Sequence, residues 1–390
     1  MIITANRGSG APSAAPAARY GFIDLLRGLA LVVMIETHTV NAYVPANLKQ
    51  GTFFFWIAFV NGLVAPTFLF ASGFSVVLQG SRHWEDWLRF RGQFWRQMRR
   101  LGFITLVAYF THLQHFRLSK YLNSNDPDVW KRTFQVDILQ CIVASLLIVH
   151  LLIPIVRKRD RLAYAAITLA VAVALATPWI WARDFSPRLP LAMALFLNPH
   201  GISMFPLFSW AAFLFAGCGT GCWFLGSVDR GAPSRLMRLL PCIGAGLVCA
   251  GLLGNRIPVS LPGYADFYRT SPLYVLIRLG SVLLICAGLY WIEAKSVRIP
   301  KPVRIAGQES LLVYGLHLFV IFGVLRGKHL GPILGLKAGW LVSFALSAAL
   351  VVLMLWLAGK WQLLKRAWPA HVRWSQAAVV VSIALVFLLS

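Results

Sequence analysis

Four ionisable residues interrupt the apolar stretch 20–44, YGFIDLLRGLALVVMIETHTVNAYV: Asp24, Arg27, Glu36 and His38. A segment this long and apolar can cross a bilayer. Ionisable groups inside such a segment are costly, so they face a protein interior or a watery cavity and mark function. Arg27 and His38 are eleven positions apart, which at about 100° per residue is three turns plus about 20°. One helix face therefore carries both, separated by roughly 16 Å along the axis. That face offers a fixed cation near one end and a titratable imidazole about halfway across. Glu36 points to nearly the opposite face. The plain alternative is a helix whose Arg27 snorkels to the surface and whose His38 packs among its neighbours.

Other polar groups fall into two layers. A cytoplasmic layer holds Arg27, Arg96, Arg99, Arg100 and Arg304, with Gln308 and Glu309. Guanidinium forks match phosphate oxygens, and the run RQMRR (96–100) places several together at a helix start. Ordinary positive charge on the inner side is the simpler reading for each arginine except the deeper Arg27. An outer layer holds His38, His112, His115, Asp137, Arg278 and His317. An imidazole and a carboxylate at one depth suit general-base work, the carboxylate orienting the ring. His112 and His115 lie near a span end, where a buried, hydrogen-bonded role is expected. Asp137 is expected to function or to sit in a buried ion pair, because a lone carboxylate in lipid is expensive.

The elements that must position these groups are transmembrane helices. Of 390 residues, 58% are hydrophobic and only 13% charged, against ~25% charged in soluble domains. Mean hydropathy is +0.69. Apolar runs at 22–44, 53–79, 100–116, 134–156, 162–182, 204–226, 237–254, 273–293, 305–325, 338–358 and 375–390 predict about eleven spans, within a range of 10–12. With the N-terminus inside, 23 Lys and Arg residues fall on the inner side and 12 outside, which favours that orientation. The net charge of +24 is then positive-inside bias and attraction to anionic lipid, and no nucleic-acid signature accompanies it. Segments 83–97 and 359–374 read as interfacial helices. Loops 117–133, 183–203 and 255–272 can roof a cavity. Residues 1–18 read as a disordered cytoplasmic tail with no cleaved signal peptide, and 19–390 as a single transmembrane domain. The six cysteines form neither a disulfide framework nor a zinc spacing, and no metal site is expected. GxSxG, HExxH and phosphate-loop motifs are absent.

These residues resemble a known family. IDLLRGLALVVMIETH resembles the opening of the DUF1624 group of bacterial membrane proteins, related to the catalytic region of heparan-alpha-glucosaminide N-acetyltransferase and more distantly to the acyltransferase-3 family. Arg27, ten residues and His38 match the Arg-X10-His pattern of that wider group. VAPTFLFASGFS (64–75), VDILQCI (136–142), HGISMFPLFSWAAFLFAGCGTG (200–221) and SLLVYGLHLFVI (310–321) resemble further segments in the same order. The animal acetyltransferase carries Asn where His38 stands, so a role for His38 rests on the acyltransferase-3 pattern. The resemblance implies acetyl-CoA or another acyl-CoA on the cytoplasmic side and an acceptor on the far side. It implies that Arg27 with Arg96, Arg99 and Arg100 holds the coenzyme phosphates. His38 takes a proton from the acceptor or carries the acyl group, with Asp137 and His317 as further catalytic candidates.

The expectation is an all-α, polytopic membrane acyltransferase of the plasma (inner) membrane that modifies a glycan or other envelope molecule. Its expected partners are membrane lipid, acyl-CoA, the acceptor and further copies of itself in a homo-oligomer, and not nucleic acid. The runner-up is a transporter or lipid flippase whose Arg, Glu and His form a midplane pathway.

Overall fold

The computed structural model describes residues 20–113, 117–199, 202–257, 270–295, 297, 300–323 and 339–389. These residues form helices and no strand. In chain order they are α1 (Gly21–Tyr43), α2 (Gly51–Asn61), α3 (Val64–Gly80), α4 (Trp84–Leu88), α5 (Gly92–Phe110), α6 (Leu118–Leu122), α7 (Pro127–Phe134), α8 (Ile138–Val156) and α9 (Arg159–Trp181). There follow α10 (Leu191–Leu197), α11 (Leu207–Asp229), α12 (Pro233–Gly254), α13 (Pro272–Ala294), α14 (Lys301–Gln308), α15 (Ser310–Phe322), α16 (Trp340–Ala367) and α17 (Pro369–Leu389). The chain is a multi-pass membrane protein, all-helical over the described residues.

The expected eleven spans are not reached. Among the described residues seven helices are long and apolar enough to cross a membrane, or eight if a bent pair counts as one span. The first expected span, α1, is 23 residues long but is not among the seven, since Asp24, Arg27 and Glu36 dilute it. The second is α2 and α3, interrupted at Gly62–Leu63 yet together one of the seven, Gly51–Gly80. The ninth is α14 and α15, bent by 91° at Glu309. The expected interfacial helix 83–97 is instead α4 plus the first turns of α5, so RQMRR is continuous with the third apolar run. Segment 359–374 is divided between the end of α16 and the start of α17, where Pro369 starts a new helix. Loop 117–133 carries α6 and most of α7, and 183–203 carries α10. Most of 255–272 lies outside the described residues.

The most buried of the seven is α11, packed against α3, α8 and α9. Small residues allow this. A Cβ on Gly73 would collide with the Leu214 carbonyl oxygen, and one on Gly217 with the Phe70 carbonyl oxygen. The two backbones therefore touch through reciprocal glycines, the means by which membrane helices gain packing without a hydrophobic driving force. Cys218 and Cys222, buried in the same helix, are free thiols. Gly73→Leu is expected to cost more than the ~1–3 kcal/mol typical of overpacking, because backbone must move. Thermal melting and gel filtration in detergent measure this. Gly246→Leu, where a Cβ meets nothing within 4 Å, should melt like the parent protein.

α1 is fixed by a second set of contacts. Glu293 of α13 accepts from the backbone N–H groups of Gly21 (3.0 Å) and Phe22 (2.7 Å), which satisfies two orphan donors of the helix start and places a negative charge there. Gly28 and Gly307 let α1 cross α14 in backbone contact with Val303 and Asp24. Gln308 donates to Asp24 (3.0 Å) and accepts from Gln362 (2.8 Å), while Lys365 pairs with Glu309 (2.7 Å). The bend between α14 and α15 is thus tied to α1 on one side and α16 on the other.

Candidate functional site

α1 and α15 run side by side in the same direction. Asp24 meets Gln308 at their starts, and further along the His38 and His317 rings lie 5.3 Å apart, centroid to centroid, tilted by 41°. The edge of Phe322 closes on His38 at 5.8 Å. His317 is fully buried. Its Nδ1 lies 2.8 Å from the Val313 carbonyl oxygen. A carbonyl only accepts, so Nδ1 carries the hydrogen and Nε2 presents a lone pair. That Nε2 is buried and has no hydrogen-bond partner among the described residues. A ring nitrogen without a partner among the described residues, beside a half-buried second imidazole, is an arrangement that can accept a proton. Tyr314 stands edge-on to His317 at 5.9 Å.

Asp137 is the N-cap of α8. Its carboxylate accepts from the Ile138 N–H (2.7 Å), and Gln140 accepts from the Asp137 N–H (3.2 Å), forming a capping box. The other carboxylate oxygen lies 3.7 Å from His112 Nε2. Gln135 Nε2 lies 2.7 Å from His112 Nδ1. An amide nitrogen only donates, so Nδ1 accepts and the Nε2–H of His112 faces Asp137. Asp137 is also within Coulombic reach of His38 and Tyr314. His38, His317, His112 and Asp137 are therefore brought to one region, and His115 lies outside the described residues.

Asp137→Asn should test the charge apart from the cap. Asn caps as well as Asp, whereas Ala costs ~0.5–2 kcal/mol. The expected result is a near-parental melting temperature for Asp137→Asn with the acyl transfer that the sequence resemblance implies reduced at least tenfold, and lower values of both for Asp137→Ala. Full transfer in Asp137→Asn would reduce Asp137 to a cap.

Other expected site residues are not gathered. Arg278 belongs to a separate cluster, its guanidinium carbon 4.1 Å from the Tyr274 ring and 5.2 Å from the Trp210 ring. Glu36 faces Asn61 at the α2–α3 break. Arg27 is half-buried, with Nη2 3.5 Å from the Ala71 carbonyl oxygen of α3. Arg96, Arg99 and Arg100 are exposed on α5, which packs on α8 and α4, whereas α1 packs on α3 and α13 to α16. Arg304 of α14 is nearer to α1: its Cδ is 3.5 Å from where a Cβ of Gly21 would stand. Arg304 was legible only as one of several inner arginines, and Tyr314 only as part of the Tyr-x-x-His segment.

A buried histidine pair with a carboxylate nearby can accept a proton from a hydroxyl or amine as it attacks a carbonyl. Among the described residues no group of His, Cys, Asp and Glu is placed to hold a metal ion. The sequence profile described as heparan-alpha-glucosaminide N-acetyltransferase, catalytic, matches residues 19–246. No curated protein matches the chain. The matched segment takes in Arg27, His38, His112 and Asp137, while His317 lies beyond it.

Proposed function

This chain belongs to the heparan-alpha-glucosaminide N-acetyltransferase catalytic family, and from that premise we propose that it transfers an acyl group, acetyl in the simplest case, from cytoplasmic acyl-CoA to a glycan or other envelope acceptor across the plasma (inner) membrane. The observation that carries this reading is the contact between His38 and the fully buried His317. His38 takes the proton of the acceptor hydroxyl or amine as its oxygen or nitrogen attacks the thioester carbonyl. The new C–O or C–N bond forms, the C–S bond breaks, and the proton passes to the departing thiolate. His317 Nε2 steadies the proton on His38, and the negative charge of Asp137 favours the imidazolium that forms. Arg27, roughly 16 Å from His38 along α1, binds a coenzyme phosphate, and Arg304, on a helix packed against α1, is a candidate helper.

The test is calorimetric titration of the detergent-purified protein with acetyl-CoA and free coenzyme A, followed by transfer of labelled acetyl to envelope extracts. Binding of both and a labelled product are expected. No binding, together with solute or lipid uptake by proteoliposomes without a covalent product, would instead identify a transporter or flippase.

The reading also requires α1 to start in the cytoplasm. Single cysteines at 157–161 should then resist an impermeant thiol reagent applied to intact cells, and cysteines at 118–122 should react. Labelling at 157–161 would reverse the topology and remove the cytoplasmic donor.

A further inference from the structure

Arg96, Arg99 and Arg100 have no part in the site described above, because α5 packs mainly on α8 and α4. The helix that carries them is two-faced. At about 100° per residue, Trp95, Arg96, Arg99, Arg100, Phe103 and Leu106 fall within roughly 140° of arc. All six are exposed. Phe94, Gln97, Leu101 and Ala108, the buried residues of α5, fall within roughly 60° on the opposite side. Burial in the bundle therefore accounts for one face and leaves the other unpartnered.

That other face changes chemistry along its length. Its first two turns are aromatic and cationic. From Phe103 it is apolar, and Leu106 stands roughly 9 Å beyond Arg100 along the axis. A helix side turned to water has no use for Trp95, Phe103 and Leu106, which are 58%, 37% and 61% exposed. A helix side turned to a bilayer has use for all of them. Indole sits at the headgroup level, guanidinium reaches the phosphates, and hydrocarbon lies deeper. Among the described residues the carboxylates do not neutralise these arginines; Glu85, the acid of α4 nearest to an arginine, pairs with Arg89 at 3.4 Å. The Trp84 indole N–H donates to the Arg157 carbonyl oxygen at 3.0 Å. The start of α5 thus lies at the same end of the bundle as the basic run 157–161, the cytoplasmic end in the topology above. Anionic lipid is concentrated in that leaflet.

We propose that Arg96, Arg99 and Arg100 form a binding surface for the phosphates of anionic phospholipid, with Trp95 at the headgroup level and Phe103 and Leu106 against the acyl chains. Guanidinium forks match phosphate oxygens, and a net charge of +24 favours lipid that is itself negative. The surface is separate from the histidine site and stands without the acyl-transfer reading. α5 ends at Phe110, two residues before His112, so the lipid holds one end of a helix whose other end reaches the Asp137 region.

The test compares melting temperatures of the full chain in detergent micelles mixed with phosphatidylglycerol or phosphatidylcholine. Phosphatidylglycerol is expected to give a value about 3 °C or more above phosphatidylcholine, because a ligand of the folded state stabilises it. The triple variant Arg96→Gln, Arg99→Gln, Arg100→Gln removes exposed groups and leaves the buried face of α5 intact. It should lose most of that difference and copurify with about tenfold less phosphatidylglycerol by mass spectrometry. The corresponding triple Lys variant should keep part of both, having the charge without the fork. Affinity for coenzyme A should be the same in the parent and the triple Gln variant. An undiminished phosphatidylglycerol effect in the triple Gln variant would overturn the proposal. So would an equal loss when the exposed Arg117, Arg183 and Arg188, at the opposite end of the bundle, are changed to Gln, since net charge alone would then explain it. Equal stabilisation of the parent by inorganic phosphate would make the arginines a free-anion site, and loss of coenzyme A affinity in the triple Gln variant would hand them to the donor; either result overturns the lipid assignment.

Discussion

His38→Ala is expected to remove acyl transfer while leaving donor binding nearly intact. General-base assistance contributes ~10²–10⁴-fold, and an interaction realised mainly in the transition state affects turnover far more than affinity. His38 is half-buried and lies five residues before the end of α1, so truncation leaves a small void and no unpaired charge. His317→Ala should lose less, because His317 acts through His38. Its Nδ1 is committed to the Val313 carbonyl oxygen, and only Nε2 can respond to a proton on its neighbour. Its loss should lower kcat more than it changes KM and should displace the pH profile of transfer, which a packing defect would not do. Single-turnover rates and donor affinities for the two purified variants, with melting temperatures, separate the cases. Normal turnover in His38→Ala would end its role as base and pass that role to His317. Equal losses of melting temperature in both variants, with rates unchanged per folded molecule, would make the pair structural.

What the sequence revealed was depth along each helix rather than the direction a helix faces. The spacing of Arg27 and His38 placed them on one face of α1 and Glu36 on another, and local periodicity suffices for that. His317 could be set at the depth of His38, but only packing against α15 brings the rings together. RQMRR lay at the inner level with Arg27, yet α5 packs on α8, so equal depth did not mean proximity. The 91° bend at Glu309 falls on the polar run GQES (307–310), which reads in sequence only as inner-layer polarity at the start of a span. The charges within α1 also thin its apolar character. Asp137 and Gln140 spell a capping box in the sequence. Read as an intramembrane carboxylate, Asp137 was placed inside the helix that it begins. Its distance to His112 required the fold of the loop before α8.

Arg27→Ala should fail in the opposite way from His38→Ala. A charge-assisted contact contributes ~1.5–3 kcal/mol, so acyl-CoA affinity should fall by about 10- to 150-fold. Turnover of the saturated complex should fall far less, since the phosphate is remote from the bonds that change. Arg27→Lys should recover only part of the affinity, because an ammonium cannot reproduce the two-pronged guanidinium contact. Arg304→Ala supplies the geometric control. If Arg27 and Arg304 hold the same phosphate group, their effects on affinity will not add in the double variant. If the exposed Arg96, Arg99 and Arg100 hold it instead, Arg304→Ala will be silent and the triple Arg96, Arg99 and Arg100 variant to Ala will lose affinity. Raising salt should weaken binding in the parent protein and change it less in Arg27→Ala, because one screened charge contact is gone. Unchanged affinity in Arg27→Ala, with a lowered melting temperature, would show that Arg27 serves the α1–α3 contact at Ala71 and that the phosphate is held elsewhere.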